Sequence, residues 1–156
     1  MLKLDKIDNN ILTLVQDNAR LSNQDLADII GLSPSACLRR FKALEESGLI
    51  LGYKTILNAK KIGLGMTALL QVSVDKHVPE QFELFETAVE KMPNVLECLL
   101  LTGQTADYQL KVVVKDLEQY QDILLNHITK IAGVSGVHTS FVLREVINKT
   151  ELPLEA

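Results

Sequence analysis

Apolar residues in the first fifty positions recur at helical spacing and fall into three runs separated by polar breaks. Ile7, Ile11, Leu14 and Val15 share one side of a stretch from about Asp5 to Asp17, which predicts a first amphipathic helix. Leu26, Ile29 and Ile30 mark the inward face of a second helix, opened by Ser22. The Ser22 hydroxyl can accept from backbone N–H groups of the first turn, and Asp25, three residues on, completes a variant of the capping box. Gly31 ends this helix, because a positive φ costs least at glycine. Ser33 then caps a third helix, and Pro34 takes its first position, where the missing N–H is no loss. At about 100° per residue, Cys37, Phe41 and Leu44 form one stripe of that helix, with Ser35, Arg39 and Lys42 almost opposite. The stripe docks, and the opposite face is left for a partner. Ser22 and Ser33 are spaced as in a helix-turn-helix.

Beyond Leu49 the pattern changes to LILGYKTILNAKKIGLG, punctuated by Gly48, Gly52, Gly63 and Gly65, which predicts a strand followed by a linker. Strand patterns then cover 67–75, 95–102, 107–115 and 136–147. Between them, Phe82, Phe85, Val89 and Met92 mark one helix, and Leu117, Tyr120, Leu124, Ile128 and Ile131 mark another. The order βαββαβ is that of a ferredoxin-like domain. The expected architecture is therefore α+β: a winged or three-helix helix-turn-helix domain over 1–50, a strand and linker over 51–66, and a ferredoxin-like domain over 67–156. Helices in such a domain cover one sheet face only, yet both faces of these strands carry apolar residues. Leu99 and Leu101 oppose Leu96, Cys98 and Leu100, while Val142 and Val146 share a face with His138 and Ser140. A partner subunit is the expected cover, with a linker folded across the sheet as the alternative.

Charge sharpens this division. The chain has a net charge of −4, but residues 1–60 carry eight Lys and Arg against seven Asp and Glu, whereas residues 61–156 carry eight against thirteen. Phosphate contact is thereby confined to the first sixty residues, and rests on local pattern rather than long-range attraction. No apolar run approaches the roughly 18 residues of a membrane span, and Asp5 and Asp8 stand where a signal peptide needs an apolar core. A cytoplasmic protein with no membrane partner is expected.

Enzymatic chemistry finds no constellation. His77, His127 and His138 lie in different elements without ligand spacing, and Cys37 and Cys98 read as small buried apolar residues. Glu45 and Glu46 read as solvated charges, and no phosphate loop or nucleophile–base group is present. Neither metal nor cofactor is expected. On the third helix, Arg39 and Lys42 can reach base edges or phosphates, Ser33 and Ser35 can hydrogen-bond at its N-terminus, and Arg40 reads as a phosphate clamp. Ser22, Asn23, Pro34 and Leu38 complete the candidate DNA-binding surface. The turn Thr102, Gly103, Gln104, Thr105, Ala106, Asp107 is the most polar spot between two apolar strands. Its N–H groups can meet a carboxylate and Asp107 an ammonium, which describes an amino acid; a plain hairpin loop accounts for the same residues.

The runs LDKIDNNIL, LSNQDLADIIGLSPSACLRRFKALEESGLILGY and TGQTADYQLKVVV resemble the Lrp/AsnC family of transcription factors over essentially the whole chain. The resemblance implies an N-terminal DNA-binding domain, a C-terminal effector-sensing domain, homodimers often assembled to octamers, and an amino acid or related metabolite bound near Gly103 to Asp107. Effector-site candidates are then Thr102, Gly103, Gln104, Thr105, Asp107 and Tyr108. The chain departs from the family pattern twice. Gly103 and Asp107 are four apart where members commonly show three, and Ala59 stands where proline often follows the linker asparagine. A rival reading, an amino-acid-binding module or enzyme whose helical domain docks protein, is separable by the salt dependence of DNA binding.

Overall fold

The computed structural model describes residues 4–103 and 105–154. It divides into two compact units, Met1–Ile56 with Ile147–Ala156, and Leu57–Val146.

The first unit is three helices, α1 (Lys6–Asp17), α2 (Asn23–Ile30) and α3 (Pro34–Glu46). Ile11, Leu12, Leu26, Ala27, Cys37 and Leu44 form its core. The inward face of α2 differs from expectation in one residue: Ile29 is 58% exposed, and Ala27 is buried instead. On the helix wheel Leu26, Ile30 and Ala27 fall within about 100° of one another, and Ile29 lies about 60° outside that arc. Residues 51–58 carry no regular secondary structure, so the expected strand is absent among the described residues. A strand needs a ladder partner, and a single chain offers this segment none; Leu51, Tyr53, Ile56 and Leu57 stay exposed.

The second unit opens with a 3₁₀ turn, Ala59–Ile62, and continues β1 (Met66–Val74), α4 (Pro79–Glu90), β2 (Val95–Leu100), β3 (Tyr108–Val114), α5 (Leu117–Asp122) and β4 (Val134–Phe141). The strands form one antiparallel sheet in the order β2-β3-β1-β4, the expected ferredoxin-like arrangement. Strand alternation places Ala68, Leu70, Val72 and Val74 with Tyr108, Leu110, Val112 and Val114 on the covered face, packed under Phe85 and Val89 of α4 and Tyr120 of α5. The second helix is interrupted: α5 passes into a π turn, Ile123–His127, and a 3₁₀ turn, Ile128–Lys130. Ile123 and Ile128 are both buried; a spacing of five residues comes to one face through the i→i+5 bonds of a π turn.

The open face is more polar than expected. Glu97 pairs in register with Lys111, Gln109 with both Leu99 and Gln71, and His138 with Gln71. The last strand ends at Phe141, so Val142 and Val146 lie outside it. From there the chain turns across the open face: Val142 N–H donates to the Thr67 carbonyl at 2.9 Å, and Glu145 reaches Lys111 Nζ at 3.6 Å. Of the exposed leucines of edge strand β2, Leu99 lies on this face, opposite Gln109, whereas Leu100 lies on the helix side, opposite Tyr108. Cys98 is exposed there too, against expectation, while Cys37 is buried.

Candidate functional site

The α2–α3 pair is fixed by its ends. Ser22 Oγ accepts from Asp25 N–H at 3.1 Å and Asp25 Oδ2 accepts from Ser22 N–H at 3.3 Å, a complete capping box. Gly31, at φ 76°, closes α2 in the left-handed region that glycine enters without a Cβ clash. The N–H groups of Gly31 and Leu32 both return to the Ala27 carbonyl at 2.9 Å. Ser33 Oγ accepts from Ala36 N–H at 3.3 Å and lies 3.3 Å from Ser35 Oγ. Asn23 Nδ2 donates to the Pro34 carbonyl at 2.9 Å, joining the start of α2 to the start of α3. Ser22, Asn23 and Ser33 therefore hold the helix pair together. Ser35, Leu38, Arg39 and Lys42 stand exposed on the outer face of α3, opposite buried Cys37 and Leu44. Among the described residues neither Arg39 nor Lys42 makes an ion pair.

Arg40 departs from the sequence expectation. Its Nη1 lies 2.8 Å from both Asp5 Oδ2 and Asp8 Oδ1, so it clamps the N-terminus of α1 to α3 instead of standing free for phosphate. Arg40 follows Arg39 by 100° around the helix, which turns it from solvent toward α1. Asp5 also caps α1, accepting from Asp8 N–H at 2.8 Å. That bond and the Arg40 guanidinium hold the Asp5 carboxyl below its ordinary value of 3.8.

In the second unit, the turn between β2 and β3 is tied to the end of β1 by Asp107. Its Oδ2 accepts from Val74 N–H at 2.8 Å, its backbone N–H donates to the Val72 carbonyl at 3.0 Å, and Oδ1 lies 2.7 Å from His77 Nε2. Ser73 Oγ donates to the Thr105 carbonyl at 3.3 Å. Both Asp107 oxygens thus have partners within the chain, and the carboxylate builds the turn that the sequence expectation had it present to a ligand. Tyr108, expected beside it, is 1% exposed, and its hydroxyl donates to Glu86 Oε1 at 2.8 Å. Burial, then the Glu86 contact, pushes that hydroxyl's pKa up. Thr102, Gly103 and Thr105 are exposed, with Gly103 at φ 79°. Gln104 lies outside the described residues.

Residues 67–152 match the family profile described as the Lrp/AsnC ligand binding domain, and residues 4–50 match a winged helix-turn-helix DNA-binding profile. The chain belongs to the Lrp/AsnC family. It is 40% identical over 154 residues to the Bkd operon transcriptional regulator of Pseudomonas aeruginosa, covering 99% of this chain and 100% of that one. It is 36% identical over 152 residues to the leucine-responsive regulatory protein of Escherichia coli K12, covering 97% and 92%. A transcriptional regulator from Neisseria meningitidis, solved as an L-Met complex, superposes with a TM-score of 0.92 at 38% identity over 97% of both chains. This Lrp/AsnC protein is thus a transcriptional regulator with a helix-turn-helix DNA-binding domain and a ligand-binding domain, and its relatives are regulators rather than enzymes. Among its described residues no helix is long and apolar enough to cross a membrane.

Sequence reasoning missed the partners that occupy these candidates. Asp5, Asp8 and His77 carry no motif, and only tertiary folding brings them to Arg40 and Asp107. Two outcomes follow from these contacts. A lowered folded-state pKa at Asp5 contributes stability that is present above the ordinary carboxylate value and lost as pH falls through the lowered one. Arg40→Ala therefore moves acid unfolding, followed by circular dichroism, to higher pH, and Arg39→Ala does not. Asp107→Ala leaves the half-buried Val74 N–H unpaired and lowers the unfolding free energy in urea by about 1–3 kcal/mol with no ligand present.

Proposed function

We propose that α3 enters the DNA major groove, with Arg39 and Lys42 reaching bases or phosphates and Ser35 and Leu38 lying against the groove. The observation that carries this reading is the sidedness of α3: one stripe is buried at Cys37 and Leu44, and the opposite face is exposed and basic. Ser33 and Pro34 place the helix N-terminus at the same edge, where its dipole favours phosphate. Ser22 and Asn23 serve by fixing the angle between the helices, and Arg40 by locking α3 to α1.

The effector is an amino acid or a related metabolite, held near Thr102, Gly103 and Thr105, with Gln104 in the same turn. The L-Met complex of the Neisseria meningitidis regulator supports this class of ligand. Asp107 shapes the turn from behind. The working form is a homodimer that assembles further, toward an octamer, so that several α3 helices meet duplex DNA together. Support comes from apolar residues that one chain leaves uncovered, Leu51, Ile56 and Leu57 before the sheet and Leu96, Leu99 and Leu100 on its edge. Two-fold pairing would set half-sites about one helical turn, or a multiple of it, apart.

Arg39→Ala and Lys42→Ala each weaken binding to a duplex enriched from a random library, measured by fluorescence anisotropy, without changing the circular dichroism spectrum. A lost base contact costs about 1–3 kcal/mol, and a lost phosphate contact reduces the salt slope by about one. Unchanged affinity in both variants contradicts the assignment. In a thermal-shift series over the amino acids, L-methionine or a relative of it raises the unfolding temperature in proportion to occupancy. No shift with any amino acid contradicts the effector class.

A further inference from the structure

The chain crosses between the two units twice. It leaves the first unit through residues 51–56, and after the sheet is complete it returns from Ile147. Both crossings are pinned by a side chain of the three-helix unit. At the exit, the Tyr53 hydroxyl donates to Glu45 Oε1 of α3 at 2.7 Å. At the return, Gln16 near the end of α1 grips the backbone of Leu152 with both halves of its amide: Nε2 donates to the Leu152 carbonyl at 3.2 Å, and Oε1 accepts from Leu152 N–H at 2.7 Å. Two residues on, Leu154 packs against the cluster formed by Ile11, Leu12, Leu26, Ala27, Cys37 and Leu44. A paired amide contact is the pattern one strand offers another, and here a glutamine side chain supplies it.

We infer that residues 150–154 are a strap of the DNA-binding unit, seated on α1 by Gln16 and Leu154, which makes the junction between the units a double tether. A single flexible linker lets each DNA-reading helix search a wide range of orientations, and that freedom lowers the effective concentration of the second helix once the first is bound. A second pinned crossing narrows the range. Leu152 itself is 70% exposed, so the strap is held by its backbone and by Leu154 rather than by burial along its length. That makes it a lightly held element of this core.

The test uses the full-length protein and its variants Gln16→Ala and Leu154→Asp, which act on opposite sides of the contact. In the unaltered protein the Leu152 amide exchanges slowly with deuterium; either variant speeds it by about tenfold or more while amides of β3 are unaffected. Affinity for a library-selected duplex falls severalfold in both variants, an arm that rests on the DNA reading above. Free exchange at Leu152 in the unaltered protein overturns the strap. Faster exchange with unchanged DNA affinity overturns its role as a tether. Absence of any duplex binding by the unaltered protein counts against the DNA reading and the tether together, while Leu152 exchange still decides whether the strap is seated.

Discussion

The contact on which this molecule's function depends is the docking of one side of α3 into a small core. Cys37 and Leu44 are buried against Ile11, Leu12, Leu26 and Ala27, and because a helix is rigid over its thirteen residues, burying that stripe decides which residues face outward. Such a core is too small to fix a helix by area alone, since short domains bury a low fraction of their surface. Directional contacts supply the rest. The capping box at Ser22, the left-handed Gly31, the Asn23 bond to Pro34 and the Arg40 clamp each remove one way for α3 to rotate or slide.

Two arginines adjacent in sequence are thereby given different work. Arg39 faces solvent, and Arg40 is bound to Asp5, the N-cap of α1, and to Asp8 within it. The formal charge of the first sixty residues is close to neutral, and part of that charge is spent internally. What remains exposed on the outer face of α3 is a narrow basic strip, Arg39 and Lys42. The same holds in the second unit, where Asp107 is held by Val74 N–H and His77. In both places a residue type suited to a ligand is taken up by contacts within the chain.

Features governed by neighbours in sequence were legible from the chain. Helix ends at Ser22, Gly31 and Ser33, the docking stripe of α3, and the βαββαβ order all depend on local chemistry or period. Features governed by distant partners were not. Ile29 and Ala27 exchange places because an eight-residue helix has a narrow buried arc, and hydrophobicity alone favours the larger side chain. The segment at 51–58 has strand composition but no strand partner among the described residues. Tyr108 reads as a polar candidate by its position beside Asp107, but strand parity carries it into the core. The tail that bonds Gln16 has no sequence signature, because a contact across 136 residues is set by the path of the whole chain.

On the reading proposed for α3, its exposed face is the surface that meets DNA. Hydroxyl-radical footprinting of the full-length protein, alone and bound to a library-selected duplex, tests it most directly. Oxidation of Leu38 is expected to fall sharply on binding, while that of Phe85 and Tyr108 in the second core stays unchanged. Undiminished oxidation of Leu38 in a saturated complex would contradict it.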